Sequence, residues 1–169
     1  MEIPIELIQN FFNKIKVDDA NKTINEQLIE VLAKNRLEID NIIFNYAERL
    51  KNFIGIRDLQ SEIISTRQRL LENNHTVLDK ITELNYKLIK LKSAELIKIN
   101  TSYNIRFQNA SERDMVIKSN DVINESAQRI EILTNFSLYL KDSMSLLDDM
   151  KFAVRNIIDI NSMLGAVPK

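Results

Sequence analysis

The chain has 169 residues, of which 44% are hydrophobic, and a formal net charge of −1 at pH 7. This length suits a single domain, and this hydrophobic content is enough to form a core. The absence of cysteine excludes disulfides and sulfur-based zinc sites, and the presence of only two glycines and two prolines disfavours the turn-rich all-β and α/β folds. We therefore predict an all-α fold with a helical content above about 75%.

The first predicted element is a short amphipathic helix from Pro4 to about Val17, with proline at a position where its missing N–H costs nothing. The start of the chain carries Glu2 and Glu6 and lacks the basic beginning and apolar run of a signal peptide. No apolar stretch approaches the roughly 20 residues that a membrane-spanning helix needs. We therefore expect a cytoplasmic protein with no membrane partner.

A second helix is predicted to begin at the capping box Thr23-Ile24-Asn25-Glu26. Its apolar positions alternate three and four residues apart, as in a coiled-coil seam, and Arg36 interrupts one inner position. The predicted seam residues are Ile29, Leu32, Ile39, Ile43, Tyr46, Leu50 and Phe53. Gly55 is expected to end or kink this helix, and Asp58 is a candidate cap for the next one.

The third segment has a seven-residue apolar period, which again predicts a helical seam. The repeating residues are Ile63, Leu70, Val77, Leu84 and Leu91, with Ile81 and Leu88 at the second seam position. Residues 73–75, Asn-Asn-His, lower the helix propensity, and Thr76 with Asp79 could restart a helix. We favour one continuous helix, and a hairpin broken near Asn73 to His75 is the alternative.

The last helix is expected to begin at an N-cap in Ser111-Glu112-Arg113-Asp114. Its predicted seam is Val116, Ile123, Ile130, Leu133, Leu140, Met144, Leu147, Val154 and Ile158. A helix of about 50 residues would be roughly 75 Å long. The predicted fold is therefore an elongated, oligomeric bundle of long antiparallel helices with coiled-coil-like seams. Residues 1–56 would form an N-terminal helical segment and residues 57–169 a long helical hairpin.

Signatures of catalysis are missing from the sequence. There is one histidine, no cysteine and no glycine-rich phosphate loop, so we assign no enzymatic activity, no catalytic residue and no cofactor. His75 is interpreted as a surface or helix-break residue. The carboxylates of Asp148, Asp149 and Asp159 could bind a divalent cation, but their spacing spreads them around a helix, and we interpret them as a solvated face with no metal site.

The uneven distribution of charge is more informative than its total. Residues 80–106, here called the basic segment, contain six basic residues and only two acidic ones, Glu83 and Glu95. The basic residues are Lys80, Lys87, Lys90, Lys92, Lys98 and Arg106, and the aromatic residues among them or directly after them are Tyr86, Tyr103 and Phe107. Lysines that follow a phosphate backbone beside aromatic rings that stack on bases are typical of single-stranded nucleic-acid binding. The alternative is a solvated helix face with its tyrosines in the seam.

The second half of the chain resembles a family, the UvsY-type recombination mediator proteins of tailed phages. A lysine- and tyrosine-bearing helix corresponds to residues 86–106, and a loop beginning Ser-x-Arg corresponds to Ser111-Glu112-Arg113. A long leucine-spaced helix corresponds to residues 123–147. A terminal Ile-Lys-Asn-x-Ile element before a glycine corresponds to Val154-Arg155-Asn156-Ile157-Ile158 with Gly165, although Met163 and Leu164 stand where an aromatic residue is usual.

The resemblance implies a homo-oligomer that binds single-stranded DNA and helps a RecA-like recombinase displace a single-strand-binding protein. It would act in the host cytoplasm if a phage encodes it. The resemblance carries over Tyr86, Lys87, Lys90, Lys92 and Arg113 as DNA-binding residues, and the charge pattern adds Lys98, Tyr103 and Arg106. The competing hypothesis is a helical scaffold, adaptor or virion protein with no nucleic-acid role.

Overall fold

The computed structural model describes residues 23–102, 110–163 and 165. This part of the chain is 94% helical and contains no strand, which confirms the all-α fold and the predicted helical content. Its four helices are α1 (Ile24–Lys51), α2 (Ile56–Ser102), α3 (Ala110–Lys118) and α4 (Asp121–Met163). The amphipathic helix predicted from Pro4 to Val17 lies outside the described residues.

Helix α1 begins where the capping box predicts. The Thr23 hydroxyl accepts a hydrogen bond from the Glu26 N–H, and the Glu26 carboxylate accepts one from the Thr23 N–H at 2.7 Å. The buried face of α1 differs from the predicted seam at its start, because Leu28 is buried whereas Ile29 is 50% exposed. Leu28 lies four residues before buried Leu32, on the same side of the helix, and Ile29 is rotated away from that side.

Residues 52–55 form the turn between α1 and α2, as Gly55 predicted. Gly55 has a φ of +58°, a conformation that favours glycine. Two predictions at this turn are wrong. Phe53, assigned to the seam, lies in the turn with its ring exposed, and Asp58 lies inside the first turn of α2, because that helix already begins at Ile56.

Helix α2 is continuous through residues 73–75, which confirms the preferred prediction and excludes the hairpin. Asn73 and Asn74 are buried in it, and Asn74 Oδ1 accepts a hydrogen bond from Ser137 Oγ at 2.6 Å. The seven-residue seam is buried from Ile63 to Leu84. It fails at Leu91, which is exposed, because the buried side of the helix passes to Leu88 and Ile99.

The last predicted helix is two helices. Ser111 lies inside α3, which begins at Ala110, so it is not the N-cap. A break at Ser119 and Asn120 then separates α3 from α4. Asn120 Oδ1 accepts a hydrogen bond from the N–H of Ile123 at 3.2 Å, which makes Asn120 the cap of α4. Val116, predicted in the seam, is exposed, and its neighbour Ile117 is buried.

The chain divides into two compact units. Unit 1 comprises Met1–Thr76 and Phe136–Lys169, and unit 2 comprises Val77–Asn135. These limits do not test the predicted division at residue 56, which stays a prediction. None of the helices in the described ranges is long and apolar enough to cross a membrane.

Among the described residues, three helical segments form unit 1. Tyr46 of α1 shares a hydrogen bond of 2.7 Å with Thr66 of α2, and Arg49 pairs with Glu62, so α1 and α2 are antiparallel. The segment of α4 joins them through Tyr139, whose hydroxyl donates to Asp40 Oδ1 at 2.7 Å. The core between these segments is mostly apolar, with a few buried polar side chains such as Thr66, Asn74 and Ser137. It includes Leu28, Leu59, Ile63, Leu70, Phe136, Leu140, Leu147 and Val154, all fully buried.

The core of unit 2 is smaller. Leu88 of α2, Ile117 of α3 and Ile123 of α4 form one buried cluster, against which Leu96 and Ile130 pack as partly buried side chains. One side of α2 is therefore occupied by apolar contacts, and its opposite side is left for solvent. Residues 80–102 of the basic segment lie on this part of α2.

Candidate nucleic-acid interface

Tyr86 lies on the solvent side of α2, and its side chain is 61% exposed. The buried neighbours Leu84 and Leu88 lie two residues before and after it, and residues two apart point to different sides of a helix. The alternative interpretation of Tyr86 as a seam residue is therefore wrong. An exposed aromatic ring can stack on a nucleic-acid base or on another planar group.

Lys90 lies one turn after Tyr86 and covers its ring. The Lys90 Nζ is 4.4 Å from the ring centroid, within the range of a cation–π contact. The contact holds an ammonium group and an aromatic ring side by side on the solvent face. A cation and an exposed ring are the two groups that single-strand binding combines, the cation for the phosphate backbone and the ring for base stacking.

Glu83 neutralises part of the positive charge on this face. Its carboxylate accepts hydrogen bonds from Lys80 Nζ at 2.7 Å and from Lys87 Nζ at 2.5 Å. The hydrogen bond from Lys80, followed by that from Lys87, lowers the pKa of Glu83 to about 2. Lys80 and Lys87 thus share one anionic partner, and the excess of charge near Tyr86 is smaller than the sequence count indicates.

The remaining lysines of α2 do not share one face. Lys92 follows Lys90 by two residues, which is about 200° around the helix, so these two side chains diverge. Lys98 is exposed and lies about 12 Å along the axis from Lys90, at a rise of roughly 1.5 Å per residue. The structure brings together Tyr86, Lys87 and Lys90, places Lys98 on the same side of the helix about two turns further along, and separates Lys92 from them.

The other predicted nucleic-acid-binding residues lie elsewhere. Arg113 is exposed on α3, with its Nε 3.9 Å from Asp114 Oδ1, which is a weak and solvated ion pair. It lies inside a helix, although the resemblance suggested a loop there. Tyr103, Arg106 and Phe107 lie outside the described residues.

Comparisons with protein-family models, curated proteins and solved structures give no match. In the described ranges no group of three or more histidine, aspartate or glutamate side chains could hold a metal ion. Asp148 instead pairs with Arg67, and His75 is exposed on α2.

A polar groove in unit 1 was not predicted from the sequence. Its volume is about 960 Å³, and Asn45 and Arg49 of α1 and Ser65 and Arg69 of α2 are among its lining residues. The guanidinium of Arg49 donates two hydrogen bonds to the Glu62 carboxylate, and that contact raises the pKa of Arg49. Its paired lining residues are far apart in the sequence: Arg49 and Glu62 are separated by 13 positions, and Tyr46 and Thr66 by 20. No short sequence motif therefore marks the groove.

Proposed function

We propose that this protein is an accessory protein that binds single-stranded DNA through the solvent face of α2. The observation that carries the proposal is the exposed ring of Tyr86 with Lys90 against it and Lys87 beside it. We call Tyr86, Lys87, Lys90 and Lys98 the α2 face. Base stacking on Tyr86 and contacts of the lysines with phosphates would bind a single strand with little sequence preference.

The charge arrangement shapes the expected binding. Lys90 and Lys98 have no carboxylate partner in the part of the chain that the structure describes, whereas Lys87 can contact a phosphate only in competition with Glu83. One copy of the face would therefore neutralise few phosphates. A homo-oligomer would repeat the face in every subunit, so that modest contacts add up to strong binding. Affinity should fall with salt at a slope of about −0.7 per neutralised phosphate.

The direct test is a set of lysine variants with matched charge loss. Lys87→Ala/Lys90→Ala/Lys98→Ala removes the lysines of the α2 face, and we expect its affinity for a labelled oligodeoxythymidine at moderate salt to fall more than tenfold, with a shallower salt slope. Lys34→Ala/Lys92→Ala/Lys141→Ala removes three exposed lysines that lie off this face. Equal losses in the two variants would mean that net charge alone binds DNA. No binding by the parent protein at low salt would refute the proposal.

The role of the ring is tested separately. Tyr86→Ala removes the stacking surface, and Tyr86→Phe retains it without the hydroxyl. Base–aromatic stacking contributes about 1–3 kcal/mol per base, so we expect Tyr86→Ala to weaken binding at least fivefold and Tyr86→Phe to bind like the parent. Equal losses in both variants would point to the hydroxyl instead of the ring.

The resemblance to UvsY-type mediators extends the proposal to partners, namely a RecA-like recombinase and a single-strand-binding protein. The expected activity is faster assembly of the recombinase on DNA that is already covered by the single-strand-binding protein. The measurement is recombinase ATP turnover on covered DNA with and without this protein. The triple variant of the α2 face should give no stimulation.

A structural or assembly role is the second candidate function. Exposed apolar side chains on α2 support it. Ile89 and Ile97 are 62% and 63% exposed on the side of α2 that carries Tyr86. Exposed apolar side chains at helical spacing are typical of a face that another helix covers. Ile89→Glu/Ile97→Glu should dissociate a homo-oligomer in sedimentation if this face joins subunits. It should leave the oligomer intact if the face is kept free for DNA.

A further inference from the structure

The apolar contacts of unit 1 repeat every seven residues on both long helices. On α2 they recur at Ile56, Ile63 and Leu70, and on α4 at Leu140, Leu147 and Val154. If one helix slipped by seven residues past the other, aliphatic side chains would again meet aliphatic side chains. Aliphatic packing alone therefore specifies the register of these helices weakly, as it does in coiled coils whose register depends on a polar core residue.

The hydrogen bond between Asn74 and Ser137 distinguishes the observed register. Both residues are buried, and their side chains lie 2.6 Å apart. A slip of seven residues in one direction would move Asn74 opposite Met144, and a slip in the other direction would move Ser137 opposite Arg67. In the first case the buried amide loses its hydrogen-bond partner to an apolar side chain, which is unfavourable.

The ion pair between Arg67 of α2 and Asp148 of α4 also distinguishes the observed register from the slipped ones. The Arg67 Nε lies 2.7 Å from Asp148 Oδ1. The residues seven positions before and after Asp148 are Lys141 and Arg155. Either slip would therefore exchange an attraction for a repulsion between two cations. A half-exposed ion pair stabilises the fold little by itself. The pair still favours the observed register, because both slipped registers would place two cations together.

Helices α1 and α2 carry a similar pair, in addition to the short turn at residues 52–55 that already restricts their alignment. Arg49 of α1 makes two hydrogen bonds with Glu62, at 2.6 and 3.0 Å. The residue seven positions after Glu62 is Arg69, and the residue seven positions before it is Gly55, in the turn. A slip would place two guanidinium groups together in one direction and leave Arg49 without a side-chain partner in the other.

We propose that two polar pairs, Asn74–Ser137 and Arg67–Asp148, fix the register of α2 against α4 in unit 1, and that a third pair, Arg49–Glu62, reinforces the alignment of α1 with α2. We call them the register pairs. Their role is to exclude the helix alignments that the seven-residue apolar repeat would otherwise permit. This role is independent of nucleic-acid binding, because none of the register pairs belongs to the α2 face.

Register can be measured by cross-linking, because the parent chain contains no cysteine. Ile64 and Phe152 are exposed and line the same groove as Arg67 and Asp148. Ile64→Cys with Phe152→Cys, joined by a short bismaleimide, reports the observed register. Ile64→Cys with Ser145→Cys, or with Asp159→Cys, reports the two slipped registers. In the parent background we expect the first pair to cross-link and the other two to give little product.

The deciding variant is Asn74→Leu/Ser137→Ala/Arg67→Gln/Asp148→Asn, which replaces both members of two register pairs, so that neither pair keeps one member without the other. We expect helicity in the far-UV spectrum to be kept and the yield of at least one slipped cross-link to rise at least tenfold over the parent. A fully helical variant that still cross-links only in the observed register would overturn the proposal.

The matched control is Thr82→Ala/Glu83→Gln/Lys87→Gln/Ser143→Ala, because the contacts it removes join residues of the same helix. Its slipped cross-links should stay at the parent level, and a rise equal to that of the deciding variant would refute the role of the register pairs. If the deciding variant loses helicity, Arg67→Gln/Asp148→Asn keeps the core intact. A threefold rise of a slipped cross-link would then support the proposal, and no rise would refute it.

Discussion

Unit 1 and unit 2 share the same two long helices and differ in how their contacts are made. In unit 1 polar side chains reach between helices, as in Tyr46 with Thr66 and Arg67 with Asp148. In unit 2 the polar contacts of the basic segment, such as Glu83 with Lys87, join residues one turn apart on one helix. Contacts between helices fix tertiary structure, whereas contacts within one helix leave its outer face available for a partner.

The apolar core of unit 1 is also larger than that of unit 2. Unit 1 contains most of the largest fully buried side chains, and the two in unit 2, Val77 and Leu133, lie near its ends. The buried cluster of Leu88, Ile117 and Ile123 is small by comparison. Few buried apolar contacts lower the free energy of local opening. We therefore expect unit 2 to open before unit 1.

The largest effect on stability is expected from the core of unit 1. Phe136→Ala removes a fully buried ring and should lower the free energy of unfolding by about 3–5 kcal/mol, measured by chemical denaturation. The matched control is Phe44→Ala, whose ring is 67% exposed, and we expect a change within about 0.5 kcal/mol. Equal losses at the two positions would mean that Phe44 is covered in solution, as by another subunit.

In unit 2, Leu88→Ala should have a smaller effect, about 2–3 kcal/mol, because its surroundings are less completely packed. Hydrogen exchange should show the loss of protection in α2 around residue 88 and in α3, with residues 59–70 little affected. Uniform loss of protection along the whole of α2 would show instead that the two units unfold as one.

Two helix caps allow the units to be compared at a smaller scale. Thr23→Ala removes the cap of α1 in unit 1, and Asn120→Ala removes the cap of α4 in unit 2. Each should cost about 1 kcal/mol. We expect the exchange effect of Asn120→Ala to stay near residues 119–124. Stability identical to that of the parent in the Asn120 variant would mean that water replaces the cap without loss.

The smallest expected effect is electrostatic and concerns Glu83 on the α2 helix. Its pKa in the folded protein is lowered to about 2, so its contribution to stability is present above the ordinary value of 4.5 and is lost as the pH falls toward 2. Because Glu83 is exposed, salt should screen this contribution. A carboxyl resonance titrating near 2 at low salt, and closer to 4.5 in 0.5 M salt or in Lys80→Gln/Lys87→Gln, is the expected result. Titration at 4.5 in the parent at low salt would contradict the ion pairs.

The sequence by itself determined the all-α fold, the start of α1 and the turn at Gly55, because helix propensity, the Thr23 capping box and a left-handed glycine act over a few residues. It also placed the cluster of lysines around Tyr86. These features depend on local hydrogen bonds, backbone preferences and covalent order, all of which are visible in a short stretch of residues.

Only the tertiary structure decided which side of each helix is covered. Leu28 and Ile29 are both strongly apolar, but only Leu28 is buried. Leu91 continues a seven-residue repeat and is nevertheless exposed. Burial at each position depends on where the neighbouring helix lies. The same holds for Tyr86, which faces solvent because apolar contacts occupy the side of α2 that carries Leu84 and Leu88. Pairs such as Asn74 with Ser137 lie 63 residues apart, so their contact exists only once the helices have packed.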